Sequence, residues 1–413
     1  MSDTLAESHR MNAQERRASF SLALIYALRM LGLFMVLPVF TLEARQYEGG
    51  NDPTAIGLAL GLYGLVQALL QIPFGLAADR LGRKRVIIAG LLLFALGSVV
   101  AALATSVTGL AWGRALQGGG AISAAVSALL ADQTRESVRT KGMALIGASI
   151  GLMFALSLVV GPLLSAWGGL SGIFWLTSLL ALGGIAVVLW WTPPEVPAPA
   201  RHPHGNRDTV WQVLRLPDLV RLNVGVFILY TVQLATWVAL PALLIQAGVD
   251  KSRHGWVYLP AVLLSFLVMG ATLFPMERRG RLRPLFLLSI GLVMCVQVGL
   301  LWQSMGSPSL PVIGFLLFVF FCGFNVLEAS QPSLASRLAP TSTRGTVLGI
   351  YNTLQSLGIF AGGALGGWLA KAQGAQGLFM ACACLMALWL AVAWGMTPPR
   401  PTAAPSAPDH TNP

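Results

Sequence analysis

The sequence predicts an all-α membrane protein of twelve transmembrane helices in two pseudo-symmetric six-helix bundles. Three observations carry that prediction. The 413 residues are 55% hydrophobic and only 10% charged, with mean hydropathy +0.70, whereas a soluble domain carries roughly a quarter charged residues. Apolar segments of the length a bilayer demands, about 20 residues at 1.5 Å each, recur twelve times. One charged turn, Asp79-Arg-Leu-Gly-Arg-Lys-Arg85, returns 198 residues later as Glu277-Arg-Arg-Gly-Arg-Leu-Arg283, again after an apolar helix.

In order, spans 1 to 6 are Ser19 to Leu42, Ile56 to Ala78, Val86 to Ser106, Gly109 to Ala131, Gly142 to Leu164 and Leu170 to Trp191. Spans 7 to 12 are Leu222 to Ile245, Trp256 to Pro275, Leu285 to Trp302, Leu310 to Ser333, Thr346 to Leu369 and Ala375 to Met396. The first is too long for a signal-peptide core, carries Arg29 in its middle and has no small-residue cleavage site, so it reads as a retained helix. Further pairs mark the duplication: Phe34 to Pro38 matches Trp237 to Pro241, and Thr140-Lys-Gly142 matches Thr343-Arg-Gly345. The expected organisation is a tail and six-helix half over 1–192, a linker over 193–217, a second half over 218–397 and an unstructured tail over 398–413. The linker is Pro-rich, with a short interfacial helix expected around Asp208 to Leu216.

Of the 27 Lys and Arg residues, 21 fall in the tails and even-numbered loops and 4 on the opposite side; Arg29 and Arg114 lie within spans. Both termini are therefore expected in the cytoplasm, and the net charge of +11 reads as a topology signal with no nucleic-acid partner. Cys295, Cys322, Cys382 and Cys384 all sit in apolar segments, where a thiol behaves as a small hydrophobe. His202 and His204 have a spacing that could take a metal, but two unsupported imidazoles in a linker suit a solvated loop better; no metal is expected.

Duplicated six-helix halves with a D-R-x-G-R-K turn between spans 2 and 3 resemble the major facilitator superfamily over essentially the whole chain. Gly75, Asp79, Arg80, Gly82, Arg83 and Lys84 match its most specific signature, and Arg114 with Gln117-Gly118 its second. Gly161-Pro162 matches the core of the motif associated with drug/proton antiporters, although Leu164 and Ser165 stand where small glycines are expected. "RMLGLFMVLPV", "YGLVQALLQIPFGLAADRLGRK" and "GRALQGGGAISAAVSALLADQTRE" resemble the YajR-type efflux subgroup, without its soluble C-terminal domain.

Tyr63, Gln67, Gln71, Gly75 and Asp79 lie at i+4 steps on one face of span 2, too polar for lipid. Gly75 permits close approach of the opposite half, and Asp79 then meets the N-terminal end of span 11 near Thr346. The resemblance implies that this contact forms when the cytoplasmic side is shut, with Arg83 bridging Asp79 to Asp132. Gly75, Asp79, Arg80, Gly82, Arg83 and Asp132 are expected to form a gating latch, and Tyr63, Gln67 and Gln71, with Gln117 and Asn325, to line a substrate cavity; the alternative is that the charges only anchor the interface.

Coupling to a proton gradient, the expected energy source in place of a cofactor, needs a group that takes up a proton inside the membrane. All five histidines lie in tails or loops, and among the acids only Glu328 is well inside a span. Asn325 shares its face at i, i+3. Arg29 and Arg114 each cost roughly 2.5–3.5 kcal/mol in hydrocarbon and must face the bundle interior. Two roles stand for each: contact with substrate or control of Glu328, and an inter-helix bond to carbonyls or to groups such as Gln117. Tyr230, Gln233 and Trp237 on span 7, with Tyr351 and Gln355 on span 11, suit a mixed polar and aromatic pocket and equally suit packing.

The leading expectation is a proton-coupled exporter of small lipophilic compounds in a bacterial inner membrane, working as a monomer as the resemblance implies. The alternative is an importer or uniporter of an anionic or neutral metabolite, which two buried arginines against one glutamate favour. A non-transporting membrane sensor is a distant third. No catalytic triad, nucleotide loop or metal cluster points to an enzyme.

Overall fold

The computed structural model describes residues 11–195, 216–339 and 344–396. Helix α1, Ala13–Met35, starts at a reciprocal cap: the Glu15 N–H donates to Asn12 Oδ1 at 2.7 Å, and the Asn12 N–H to Glu15 Oε2 at 2.9 Å. It stops short of the Leu42 expected for span 1 because Pro38 has no N–H to continue the ladder; a separate helical turn, Phe40–Glu43, follows. Helix α2, Pro53–Leu81, is capped by Asp52 and has proline at its first position. It ends at Gly82, whose φ of 98° only glycine adopts readily, and α3, Arg83–Ala102, begins at once.

Span 4 departs from expectation. It is two helices, α4 over Val107–Gly118 and α5 over Ser123–Gln133. The physical reason lies in the neighbouring backbones. A Cβ on Gly118 would overlap the Tyr63 carbonyl of α2, and one on Gly120 would lie 2.6 Å from the Gly90 carbonyl of α3. The glycine run lets three backbones close up and interrupts its own helix in doing so.

Helix α6, Glu136–Ala186, continues into a π-helical turn, Val187–Trp191. Then come α7, Pro217–Gln246, α8, His254–Arg278, α9, Leu282–Met305, α10, Leu310–Leu338, and α11, Arg344–Trp394. Each 51-residue rod, α6 and α11, is broken by one glycine in non-helical conformation, Gly169 (φ 59°) and Gly374 (φ 68°). Among the described residues nine elements are long and apolar enough to cross a membrane, instead of twelve separate spans. Spans 5 and 6 run on through α6, spans 11 and 12 through α11, and α4 and α5 are each too short alone. The helix expected around Asp208 falls outside the described residues.

Within the first half α1 lies along α6, and α3 packs on α4 and α6; within the second, α7 lies along α11, and α10 on α8 and α9. The halves meet along two seams, α2 with α11 and α6 with α8. Exposed tryptophans form two belts, as side chains with an apolar body and a polar edge do at membrane surfaces. Trp190, Trp191 and Trp394 mark the tail end, and Trp112, Trp167, Trp256, Trp302 and Trp368 the far end. The four cysteines are free.

Candidate functional site

Both seams close at the far end and part towards the tail end. On α2, a Cβ at Gly57 or Gly64 would overlap the carbonyl of Gly363 or Ser356 of α11, and one at Gly61 would lie 2.8 Å from the Phe360 carbonyl. Small residues thus bring the two backbones into direct contact. Farther along, Gly75 finds only Ala124 of its own half, at 3.8 Å, and Gly349 on α11 has nothing within 4 Å. The other seam repeats this. Gly255 of α8 meets the Leu158 carbonyl of α6 at 3.0 Å and Gly151 meets Phe266 at 3.4 Å, but Gly147 and Gly270 meet nothing. The space between the halves opens at the tail end.

Two ion pairs lock the far end. Glu43, buried after α1, accepts from Lys251 Nζ of the other half at 2.6 Å and from Ser165 Oγ at 2.9 Å. Asp52 at the start of α2 pairs with Lys371 of α11 at 3.3 Å. Beneath them Phe34 of α1, Phe154 of α6 and Phe321 of α10 stack edge to face, 5.2 and 5.9 Å apart. Lys251 lies 208 positions from Glu43, and no local sequence signal joins them.

At mid-depth in the first half, Arg29 donates to the Tyr63 hydroxyl at 2.9 Å and lies 5.4 Å from the centre of the Phe94 ring. Arg114 lies 4.9 Å over the Tyr63 ring and donates to Gln117 Oε1 at 2.8 Å, and Gln117 donates to Ser98 Oγ at 2.8 Å. Tyr63 therefore joins the two arginines. Both guanidinium groups are buried, and among the described residues neither has a carboxylate within ion-pair reach. Gln67 and Gln71 follow on the same face of α2, each with a buried Oε1 that has no hydrogen-bond partner among the described residues.

In the second half, half-buried Glu328 on α10 accepts from the Tyr230 hydroxyl of α7 at 2.5 Å. Tyr351 neighbours this carboxylate and Gln355 the Tyr230 hydroxyl. Asn325 is engaged elsewhere, donating to Ser265 Oγ of α8 at 2.8 Å. Trp237 is buried edge-on against Tyr258, 5.2 Å between centres, and Gln233 is half-buried. Arg29 and Glu328 hold different tyrosines and are not paired to each other in this state.

At the tail end Arg83 pairs with Asp79 one turn back and reaches Asp132 of α5 at 3.4 Å. Asp79 remains 59% exposed, as does Arg80 in large part. Among the described residues its ion-pair partner is Arg83 alone. The turn is also tied to the start of the linker: Lys84 Nζ donates to the Thr192 carbonyl at 2.7 Å, and the Lys84 N–H to Glu195. The second copy of the turn pairs Glu277 with Arg337. Gly161 seats α6 on α1, its Cα facing the Met35 carbonyl, next to Pro162. Among the described residues no group of three His, Cys, Asp or Glu could hold a metal; His202 and His204 lie outside them.

The sequence profile of the Major Facilitator Superfamily matches residues 22–363. The chain belongs to the major facilitator superfamily. It is 42% identical over 392 residues to the inner membrane transport protein YajR of Escherichia coli (strain K12), covering 95% of this chain and 86% of that one. It is 27% identical over 403 residues to the multidrug resistance protein MdtL of Escherichia fergusonii, covering 94% and 96%. The crystal structure of the human organic anion transporter MFSD10 superposes with a TM-score of 0.70 at 22% identity, covering 92% of this chain and all 100% of that one. The chain is thus a secondary transporter of small molecules across a membrane, and not an enzyme.

Proposed function

We propose that the chain carries a small anionic or neutral metabolite by alternating access, as an importer or uniporter. The observation that supports this is the charge within the spans: two buried guanidinium groups, with no carboxylate partner among the described residues, against a single half-buried acid, Glu328. That balance repels a lipophilic cation and suits a neutral or negative solute. Glu328, held by Tyr230, is the group that takes the proton when transport is coupled to the gradient.

Counting α6 and α11 as two spans each, and α4 with α5 as one, restores twelve spans in two bundles of six. The basic tail-end turns then place both termini in the cytoplasm, in a bacterial inner membrane as the name of YajR supports, with the cavity facing inward. The chain acts as a monomer. The Asp79–Arg83–Asp132 triad, with Asp79 its exposed member, waits for the start of α11 and forms the cytoplasmic latch when that side shuts.

A second reading, proton-coupled export of lipophilic compounds, draws on the name of MdtL and on Gly161-Pro162, which seats a proline-bearing stretch of α6 on α1. Cells expressing the protein are to be given labelled benzoate, uridine or tetraphenylphosphonium, and both uptake and loss from preloaded cells followed. Protein-dependent entry of benzoate or uridine supports the first reading. Protein-dependent expulsion of tetraphenylphosphonium, with no movement of the others, overturns it in favour of the second.

A further inference from the structure

The polar groups around Tyr63 are unlike a satisfied structural network. Arg29 spends one nitrogen on the Tyr63 hydroxyl; its Nε and Nη1 are buried with no hydrogen-bond partner. Arg114 spends Nη1 on Gln117, and its Nε is likewise buried and unpartnered. Buried charged donors left without acceptors are costly, and two cations sharing one tyrosine repel each other as well. A purely structural arginine would be turned onto backbone carbonyls. Here the flat faces are covered, by Phe94 for Arg29 and by Tyr63 for Arg114, while the hydrogen-bonding edges stay unsatisfied.

The unpartnered atoms of the two arginines are all donors. The Tyr63 hydroxyl accepts from Arg29, so its own O–H remains to be given. Gln117 is largely spent inside the cluster, its oxygen accepting from Arg114 and its amide nitrogen giving to Ser98. A ligand that satisfies this set must bring acceptors and negative charge, which an oxyanion does in the fork geometry guanidinium groups favour. The route is also present. Gln71 and Gln67 stand two turns and one turn from Tyr63 towards the open tail end, on one face of α2, with unpartnered buried oxygens that mark a polar track in an otherwise apolar helix.

We infer that Arg29, Tyr63 and Arg114 form one oxyanion-receiving site, reached from the open end past Gln71 and Gln67, which takes a carboxylate or phosphate group of the transported solute. The site rests on the transport reading and narrows its substrate to anions. Loading it requires the Tyr63 region to loosen enough to admit the group, so the site fills late, after the solute has passed the two glutamines.

The test does not depend on knowing the solute. In a background with Cys295, Cys322, Cys382 and Cys384 replaced by serine, Gln67→Cys is treated with an anionic thiol reagent, methanethiosulfonate ethylsulfonate, and with its trimethylammonium counterpart. Two uncompensated charges nearby raise the anionic-to-cationic rate ratio at least roughly tenfold over a free thiol. Arg29→Gln or Arg114→Gln lowers it, Arg29→Lys preserves it, and benzoate or inorganic phosphate slows the anionic reaction. Which of the two protects tells carboxylate from phosphate. Failure of the introduced thiol to react, a ratio that survives both glutamine substitutions, or a ratio that neither anion protects overturns the site. Because the readout is reactivity and not transport, such a failure leaves the transport reading standing, whereas absence of any solute movement in cells would count against that reading alone.

Discussion

Glu43→Gln is the perturbation whose consequence follows most directly from the geometry. Glu43 and Lys251 belong to opposite halves and meet only when the far end is shut. Their 2.6 Å separation corresponds to about 6 kcal/mol at an effective dielectric of ~20. The Lys251 side chain is 41% exposed, so water screens it, and about 1–2 kcal/mol is the fair remainder. The amide keeps the size of the carboxylate and can still accept from Ser165, so the change removes the charge pairing and little else. A loss of about 1–2 kcal/mol shifts the ratio of far-end-open to far-end-closed molecules roughly 5- to 30-fold. Spin labels on the exposed residues Gln46 and Gln246, one on each half, read that ratio as populations of short and long distances. Glu43→Gln and Lys251→Gln should each enrich the long distance, and the charge-swapped pair Glu43→Lys with Lys251→Glu should return it towards wild type. Unchanged distance populations in both single variants would refute the reasoning.

Gly363→Leu should wedge the α2–α11 seam, because a side chain there meets the Gly57 backbone; transport should fall at least roughly tenfold, while Gly349→Leu, where nothing lies within 4 Å, leaves the seam closed, both read by far-end thiol accessibility. Glu328→Gln should abolish pH-driven transport yet retain solute exchange, and Tyr230→Phe should alter its pH profile, since it removes a hydroxyl bonded to Glu328; wild-type pH dependence in Glu328→Gln would remove that residue from coupling. The Asp52 carboxyl is held below the usual carboxylate range by the Thr54 N–H, helped by Lys371. A depressed folded-state value contributes stability above the unfolded value, lost as pH falls through the folded one. The gap in melting temperature between wild type and Asp52→Asn should therefore be flat above about pH 4–5 and close below it.

The sequence made the spans legible wherever a helix was uninterrupted, and the repeated turn disclosed the duplication because both copies need a glycine of positive φ, Gly82 and Gly280. The break in span 4 was not legible: three glycines are compatible with a continuous helix until the Tyr63 and Gly90 backbones are known to press on them. Gly169 and Gly374 were legible, since they fall in the short loops expected between spans 5 and 6 and between spans 11 and 12, and the two long rods break there. At the site, Arg29, Arg114 and Glu328 stood out as charges where lipid forbids them. Tyr63 and Tyr230 were named on polar faces too, but which charge each one holds was not legible, because the pairings Arg29–Tyr63 and Tyr230–Glu328 join different helices. The Glu43–Lys251 lock was invisible because each residue alone reads as an interfacial anchor, and only the folded contact between halves supplies the meaning.

The central claim is that the two halves rock about the mid-depth cluster, so that one end shuts as the other opens. The direct test reads both ends in the same membrane preparation: spin-label pairs at Gln46 with Gln246 for the far end, and at Leu81 with Arg279 for the tail end, in wild type and in Glu43→Gln. Rocking predicts that the variant lengthens the first distance and shortens the second in equal populations. Lengthening of both together, or a far end that opens while the tail-end distance stays as it was, would contradict it.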